Sequence, residues 1–201
     1  MSNNLFLNDL CELKNRRIIL ASQSPRRDEM LRNLGLRFEI VPADVDENPE
    51  SFRDAADFAM QNAREKAVWV AEREPADLVI AADTIVVQNG EILGKPVNAA
   101  DAEMMLRKLS GKTHQVISAI CLKTPDREIT DSESTDVTFI SLSDQEIGAY
   151  LATGESMDKA GGYGIQGFAA PFISGINGCY PNVVGFPIAL FYKHLRTLKF
   201  K

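Results

Sequence analysis

Asp83 stands inside Leu78-Val79-Ile80-Ala81-Ala82-Asp83-Thr84-Ile85-Val86-Val87, the most hydrophobic run of the chain. A carboxylate in such a strand must be paired, metal-bound or protonated, because its bare charge is very costly to desolvate. On physical grounds Asp83 is the best catalytic candidate. A carboxylate satisfied by nearby backbone N–H groups is the structural alternative. Arg26 and Arg27 pose the converse problem. They fall in the first turn of a helix that Ser24 and Pro25 open, where partial positive charge disfavours a basic pair. Two readings stand: solvated arginines on a surface helix, or an anion site where hydroxyls, backbone N–H groups and guanidinium forks converge.

Other candidates follow from spacing. Pro42-Ala43-Asp44-Val45-Asp46-Glu47-Asn48-Pro49 packs acids and an amide between two prolines. It reads as a solvated turn or as a hard-cation site, since Mg²⁺ takes one or two carboxylates with phosphate and water. Lys66 shares a helix face with Asn62 and with Ala55, Phe58, Ala59, Ala63 and Val70. It either snorkels or points its ammonium at the sheet. Asn89-Gly90 signals a tight hairpin after the Asp83 strand, so the returning arm brings Lys95 back near Asp83. Ala160-Gly161-Gly162-Tyr163-Gly164-Ile165-Gln166-Gly167 lacks the features of a Walker or dinucleotide loop. As a tight loop it lets backbone approach a ligand, with Gln166 presenting an amide.

The elements that must position these residues are readable in outline. Ile18-Ile19-Leu20 is a buried strand, followed by a helix whose face is Met30, Leu31 and Leu34 and whose stop is Gly35. Arg37–Val41 alternates as a strand. Ser51 caps the next helix, with Asp54 at its third position, and that helix runs to about Glu72. Asn98 caps another through Leu109, with Ala102, Met105, Leu106 and Leu109 inward and Gly111 ending it. His114–Leu122 and Ser134–Leu142 read as strands, and the Thr124–Ile129 stretch between them includes a turn. Ser143-Asp144-Gln145-Glu146 is a capping box for a helix closing at Gly154. Pro187 starts a last helix through about Leu198, followed by Lys199 and Lys201, which suit a helix C-terminus. Helices alternate with strands first and hairpins dominate later, which predicts a mixed sheet in an α/β domain.

Composition sets the bounds. The 201 residues carry 22 basic and 28 acidic side chains, a net charge of −6. Nothing global therefore favours nucleic acid or an anionic membrane. Three separated cysteines without a CxxC pair indicate neither a disulfide framework nor a zinc site and fit a reducing cytoplasm. Two isolated histidines argue against His-rich metal sites and Ser–His or Cys–His hydrolases. Residues 1–15 have no signal-peptide pattern and read as a leader, a short packed helix or a frayed end, ahead of one domain over 16–201. No apolar run reaches transmembrane length.

Taken together, Leu20-Ala21-Ser22-Gln23-Ser24-Pro25-Arg26-Arg27, Asp46-Glu47, Arg64-Glu65-Lys66-Ala67, Ala82-Asp83-Thr84, Gly94-Lys95-Pro96, Leu109-Ser110-Gly111, Asp158-Lys159-Ala160-Gly161 and Tyr163-Gly164-Ile165-Gln166-Gly167 carry a resemblance. From about Arg17 to about Leu195 the chain resembles the Maf family of nucleoside triphosphate pyrophosphatases. The resemblance implies an elongated, two-lobed Maf/ITPase-like α/β domain, with a mixed, twisted central sheet flanked by helices and a cleft between the lobes. It implies a cytoplasmic, homodimeric enzyme that splits nucleoside triphosphates between the α and β phosphates with a divalent metal, Mg²⁺ or Mn²⁺.

By resemblance, Asp83 is the proton acceptor that activates water, Glu47 and Asp83 serve the metal, and Ser22, Arg27, Lys66 and Lys95 hold phosphates. Substrate choice would rest on Arg26, Thr84 and Gln166, a trio similar to the dTTP/UTP branch. The 7-methyl-GTP branch carries an aromatic, a longer amide and an acid there. A neutral Gln amide suits a uracil or thymine edge. Two rival functions remain at this stage: 7-methyl-GTP or a modified pyrimidine nucleotide as substrate, or a nucleotide-binding regulator of septation without turnover. The longer leader and Gln23, at a position often small in relatives, depart from the family pattern.

Overall fold

A computed structural model describes residues 5–47 and 52–198. Asn48, Pro49 and Ser51, together with Lys199 and Lys201, lie outside the described residues. The order of elements is α1 (Phe6–Leu10), β1 (Ile18–Leu20), α2 (Pro25–Asn33), β2 (Glu39–Ile40), α3 (Ala55–Ala71), β3 (Leu78–Gln88), β4 (Glu91–Leu93) and α4 (Ala99–Leu109). There follow β5 (Thr113–Lys123), β6 (Glu128–Phe139), α5 (Asp144–Leu151), two single 3₁₀ turns, β7 (Ile173–Asn177), α6 (Tyr180–Val184) and α7 (Ile188–Leu195). The strands form one sheet in the order β2-β1-β3-β5-β6-β7, with β4 paired to β3. β1 runs parallel to both β2 and β3, whereas β3–β4 and β6–β7 are antiparallel, so the sheet is mixed. The expected α/β class with a central sheet flanked by helices is what forms.

By internal packing the chain divides into two compact units. The first holds the described residues up to Asp83, Ala119–Ser132 and the chain from Gly185 onward. Its core joins Ile18 and Leu20 of β1, Leu78 and Ile80 of β3, Leu31 of α2, and Phe186, Phe191 and Leu195 around α7. Each such side chain contributes about 1.5–3 kcal/mol by leaving water. Leu7 and Leu13 of the N-terminal stretch are buried in the same core. That stretch is pinned as well as packed: Leu7 N–H donates to Leu34 O at 3.0 Å and the Asn8 side chain accepts from Arg37 N–H at 2.6 Å.

The second unit holds Thr84–Ser118 and Glu133–Val184. Here α4 buries Ala102, Met105, Leu106 and Leu109, the face that its periodicity predicts. Met105, Leu106 and Leu109 pack with Val86, Val116, Phe139, Tyr163 and Phe172. Asn89 and Gly90 take φ of 52° and 81°, and Gln88 pairs with Glu91, which makes the expected two-residue hairpin. The capping box of Ser143 and Glu146 is present in full.

Several boundaries differ from expectation. Helix α3 starts at Ala55, and its cap is Asp54, whose carboxylate accepts from Asp57 N–H at 2.8 Å. An aspartate three residues into an apparent cap box is itself an equally good cap, so spacing alone misplaces the start. Ser24 occupies the cap position of α2 but its side chain makes no capping bond. The turn expected within Thr124–Ile129 forms at Thr124–Arg127, but strand β6 already begins at Glu128, ahead of the expected Ser134, and stops at Phe139. The short strand β7 and helix α6 were not foreseen. Ile173-Ser174-Gly175-Ile176-Asn177 is mostly exposed, and Gly175 within it and Gly178 after it weaken its strand pattern.

Candidate active site

In the first unit, β1 delivers the chain at Ala21, whose N–H donates to Ile80 O at 2.8 Å. Ser22 follows, buried, and its Oγ accepts from Ser24 N–H at 3.2 Å. It thereby ties the residue ahead of α2 to the corner, whereas the Ser24 side chain makes no capping bond to the helix. Arg27, one turn into the helix, folds back on this corner. Its Nη1 lies 3.2 Å from Ser22 Oγ and 2.9 Å from Ala82 O, and its Nε donates to Gly185 O at 2.9 Å. Arg27 is therefore not a solvated surface arginine but a clamp between the β1–α2 corner and β3. Burial lowers its pKa, partly offset by the charge of Asp83, yet a guanidinium stays protonated. Arg26 beside it is half-buried.

Helix α3 brings the second group. Its inner face carries Ala59, Ala63, Ala67 and Val70, and between them Asn62 and Lys66. Small residues at the other positions let the two polar side chains reach β3. Lys66 Nζ stands 2.6 Å from Asp83 Oδ1 and 2.9 Å from Glu47 Oε1. Asp83 is only 6% exposed. Burial pushes its pKa up, but the Lys66 charge and hydrogen bond, with Arg27 and Asn62, outweigh it and hold the carboxyl below its ordinary value. The sequence reading that Lys66 points to the sheet is correct, and so is the expectation of a paired Asp83. Glu47 is exposed yet turned onto the same ammonium.

Asn62 was seen on the Lys66 face but not counted as a site residue. Its Nδ2 donates to Asp83 Oδ2 at 3.2 Å and to Glu47 O at 3.3 Å. Both neighbours are acceptors, which fixes the amide's orientation. Its Oδ1 is buried without a hydrogen-bond partner. The i+4 spacing from Lys66 inside an apolar stripe was the available signal.

Thr84, Lys95 and Gln166 belong to the second unit. Thr84 Oγ1 is 2.9 Å from Ser118 Oγ. The β3–β4 register sets Leu93 opposite Val86, so the returning arm runs alongside β3 as expected, and Lys95 follows it, exposed. The glycine-rich loop meets this arm: Gly161 N–H donates to Gly94 O at 3.0 Å. Gly161 has φ of 69°, and a Cβ there would stand 2.9 Å from Val86 Cγ2, so a side chain is excluded twice over. Tyr163 anchors the loop inward through its hydroxyl, 2.6 Å from His114 Nε2, and Gln166 is exposed.

No group of three or more His, Cys, Asp or Glu able to hold a metal exists among the described residues. What the first unit does contain is an ionised buried aspartate and an exposed glutamate converging on one ammonium, with an arginine clamp in the same unit. This is a set suited to handling an anion and a water. Residues 17–198 match the family described as Maf-like protein, and the chain belongs to that family.

Among its relatives, the dTTP/UTP pyrophosphatase of Koribacter versatilis is 49% identical over 179 residues, covering 89% of this chain and 93% of the relative. That of Clostridium perfringens is 47% identical over 186 residues, covering 90% and 96%. In fold alone, the Staphylococcus aureus Ham1 protein matches with a TM-score of 0.52 at 17% identity, over 92% of this chain and all of the other.

Proposed function

We propose that the chain hydrolyses dTTP and UTP to the nucleoside monophosphate and pyrophosphate. The observation that carries this reading is the buried Asp83 held ionised by Lys66. Near-half identity over nine-tenths of the chain to relatives named dTTP/UTP pyrophosphatase supports the substrate.

Lys66 bridges two carboxylates in this state. A triphosphate brings several negative charges and competes for that ammonium. As Lys66 turns to phosphate, Asp83 loses its strongest stabilising partner, its pKa rises, and it becomes a better base for water. Ser22, Arg27 and Lys95 are assigned to phosphate binding, where the Ser22 hydroxyl would hydrogen-bond and the Arg27 and Lys95 charges would help neutralise the loose transition state. Asn62 keeps Oδ2 of Asp83 oriented throughout.

A divalent cation fits the donors. Asp83 and Glu47 supply two oxygen ligands at one point, the partial set that Mg²⁺ or Mn²⁺ takes when phosphate and water fill the remaining positions. Bound there, the ion would polarise phosphate and lower the pKa of its water. Arg26, Thr84 and Gln166 are assigned to base choice. No helix among the described residues is long and apolar enough to cross a membrane. A homodimer in the cytoplasm completes the proposal.

The test is pyrophosphate release from a panel of nucleoside triphosphates with Mg²⁺ or Mn²⁺. Turnover of dTTP and UTP supports the reading. Turnover of 7-methyl-GTP instead would keep the chemistry and overturn the base assignment. Binding without any turnover would make the chain a nucleotide-binding regulator.

A further inference from the structure

The fully buried Asn182 of α6 heads a neutral polar network in the second unit that has little to exchange. Its Nδ2 gives both protons away, to Val116 O and Thr135 Oγ1 at 2.9 Å each, and its Oδ1 accepts from Ser118 N–H at 3.1 Å. Ser118 Oγ donates to Asn182 O at 2.9 Å. A ligand that took one of these bonds would orphan a buried group, which costs about 1–3 kcal/mol.

The first unit is different, because its inward-facing groups are ions. Glu47, Lys66 and Asp83 all belong to it. Asn62 Nδ2 holds Asp83 Oδ2 at 3.2 Å, and Lys66 Nζ takes the other oxygen, Oδ1, at 2.6 Å. The same nitrogen lies 2.9 Å from Glu47 Oε1. The ammonium therefore stands where two carboxylate oxygens meet. A Mg²⁺ ion that took both oxygens would have to stand there too, at about 2.0–2.1 Å from each. An ammonium nitrogen already in contact with both leaves no room for it, and its charge repels the ion. The two cations are alternatives.

Which cation holds the site depends on where else the ammonium can go. Lys66 is buried along the apolar face of α3, so an ammonium displaced without a new counter-charge becomes a buried, unpaired ion. A phosphate chain supplies that counter-charge, and a bare metal ion does not. Building on the proposed hydrolysis of nucleoside triphosphates, we propose that Lys66 is a tethered placeholder cation that keeps a free divalent ion off Asp83 and Glu47 until a phosphate chain draws the ammonium away. Metal and nucleotide then bind with positive coupling, each raising the affinity for the other by the same factor. Without nucleotide the chain binds the ion weakly, so the hydrolytic set assembles only around substrate.

The experiment follows Mn²⁺ binding by electron paramagnetic resonance of the free ion, in the absence of nucleotide. It compares wild type, Lys66→Met, Lys66→Gln, Asp83→Asn and the Lys66→Met/Asp83→Asn double variant, with Tm recorded with and without Mn²⁺. Ions still held by Asp83→Asn sit elsewhere on this acidic chain and are subtracted. The Asp83-dependent affinity rises about tenfold or more in both single Lys66 variants. Mn²⁺ raises the Tm of both by more than that of wild type, and the double variant loses both effects. A second measurement needs no Lys66 variant. In wild type, the non-hydrolysable α,β-methylene-dUTP raises the Asp83-dependent Mn²⁺ affinity about tenfold or more above that of protein and analogue measured separately.

A folded Lys66 variant that binds Mn²⁺ no more tightly than wild type overturns the inference, and so does a wild type whose Mn²⁺ affinity the analogue leaves unmoved. A wild type that turns over no nucleotide removes the functional reading instead, and the Mn²⁺ comparison made without nucleotide still decides what Lys66 does.

Discussion

Each unit buries a polar cluster, and the two clusters are built on opposite plans. Around Asp83 the groups are charged and not all satisfied: an ammonium is shared by two carboxylates, and Asn62 Oδ1 is buried without a partner. Around Asn182 the groups are neutral, and every donor proton has an acceptor. A neutral, closed network holds its geometry against change, because reversing one bond orphans another. A charged cluster in which one ammonium is shared between two carboxylates is poised to exchange partners. The first plan suits a site where substrate enters and protons move. The second suits a scaffold that must keep its shape.

The contrast breaks first at Asp83. Replacing it with Asn removes the base while keeping its shape, and pyrophosphate release from UTP should fall about 10²–10⁴-fold. A loss under threefold would show that the charged cluster is structural. Lys66→Met is next. It strands a buried carboxylate and should destabilise the fold by about 3–5 kcal/mol in denaturant titration. Adding Asp83→Asn to it should restore most of the stability and none of the rate, because the stranded charge is then gone. If the double variant is no more stable than Lys66→Met, the pair is not the source of the loss.

His114 probes the neutral side by pH. Burial holds its pKa down at about 4, so the folded chain refuses a proton that the unfolded chain binds near pH 6.5. The stability tied to its neutral form is complete above pH 6.5 and is lost as pH falls toward 4. That amounts to about 3 kcal/mol relative to pH 7. His114→Gln should flatten this limb of a stability-versus-pH curve, and an unchanged slope would exclude it as the cause. The smallest effect is expected at Asn182. Asn182→Ala leaves Ser118 N–H and Val116 O unpaired in the interior, costing about 2 kcal/mol in Tm-derived stability, with kcat for UTP moved far less than at Asp83.

How much of this was legible beforehand depended on whether a signal was local. Asp83, Lys66 and Arg27 each violated a local rule, a charge in an apolar strand, in an apolar stripe and at a helix N-terminus, and all three proved to be inward-facing. Helix α4 and the Asn89-Gly90 hairpin carried complete local signatures and formed as read. Asn62 broke no rule strongly enough to stand out beside Lys66. Ser118 and Asn182 carry no local signal. Serine and asparagine are ordinary in sequence, and their roles exist only through partners 64 positions apart. Strand β7 and helix α6 were missed for the related reason that short elements depend on tertiary pairing more than on propensity.

The alternation of β3 bears on how such a chain can change over generations. Asp83 and Thr84 are consecutive codons, yet a strand turns consecutive side chains to opposite faces. A substitution at Thr84 leaves Lys66 and Asn62 undisturbed on Asp83, so under the proposed assignments base choice is free to drift while hydrolysis persists. A single inserted or deleted codon between Leu78 and Asp83 has the opposite fate. It exchanges the faces and takes both side chains away from their partners at one stroke.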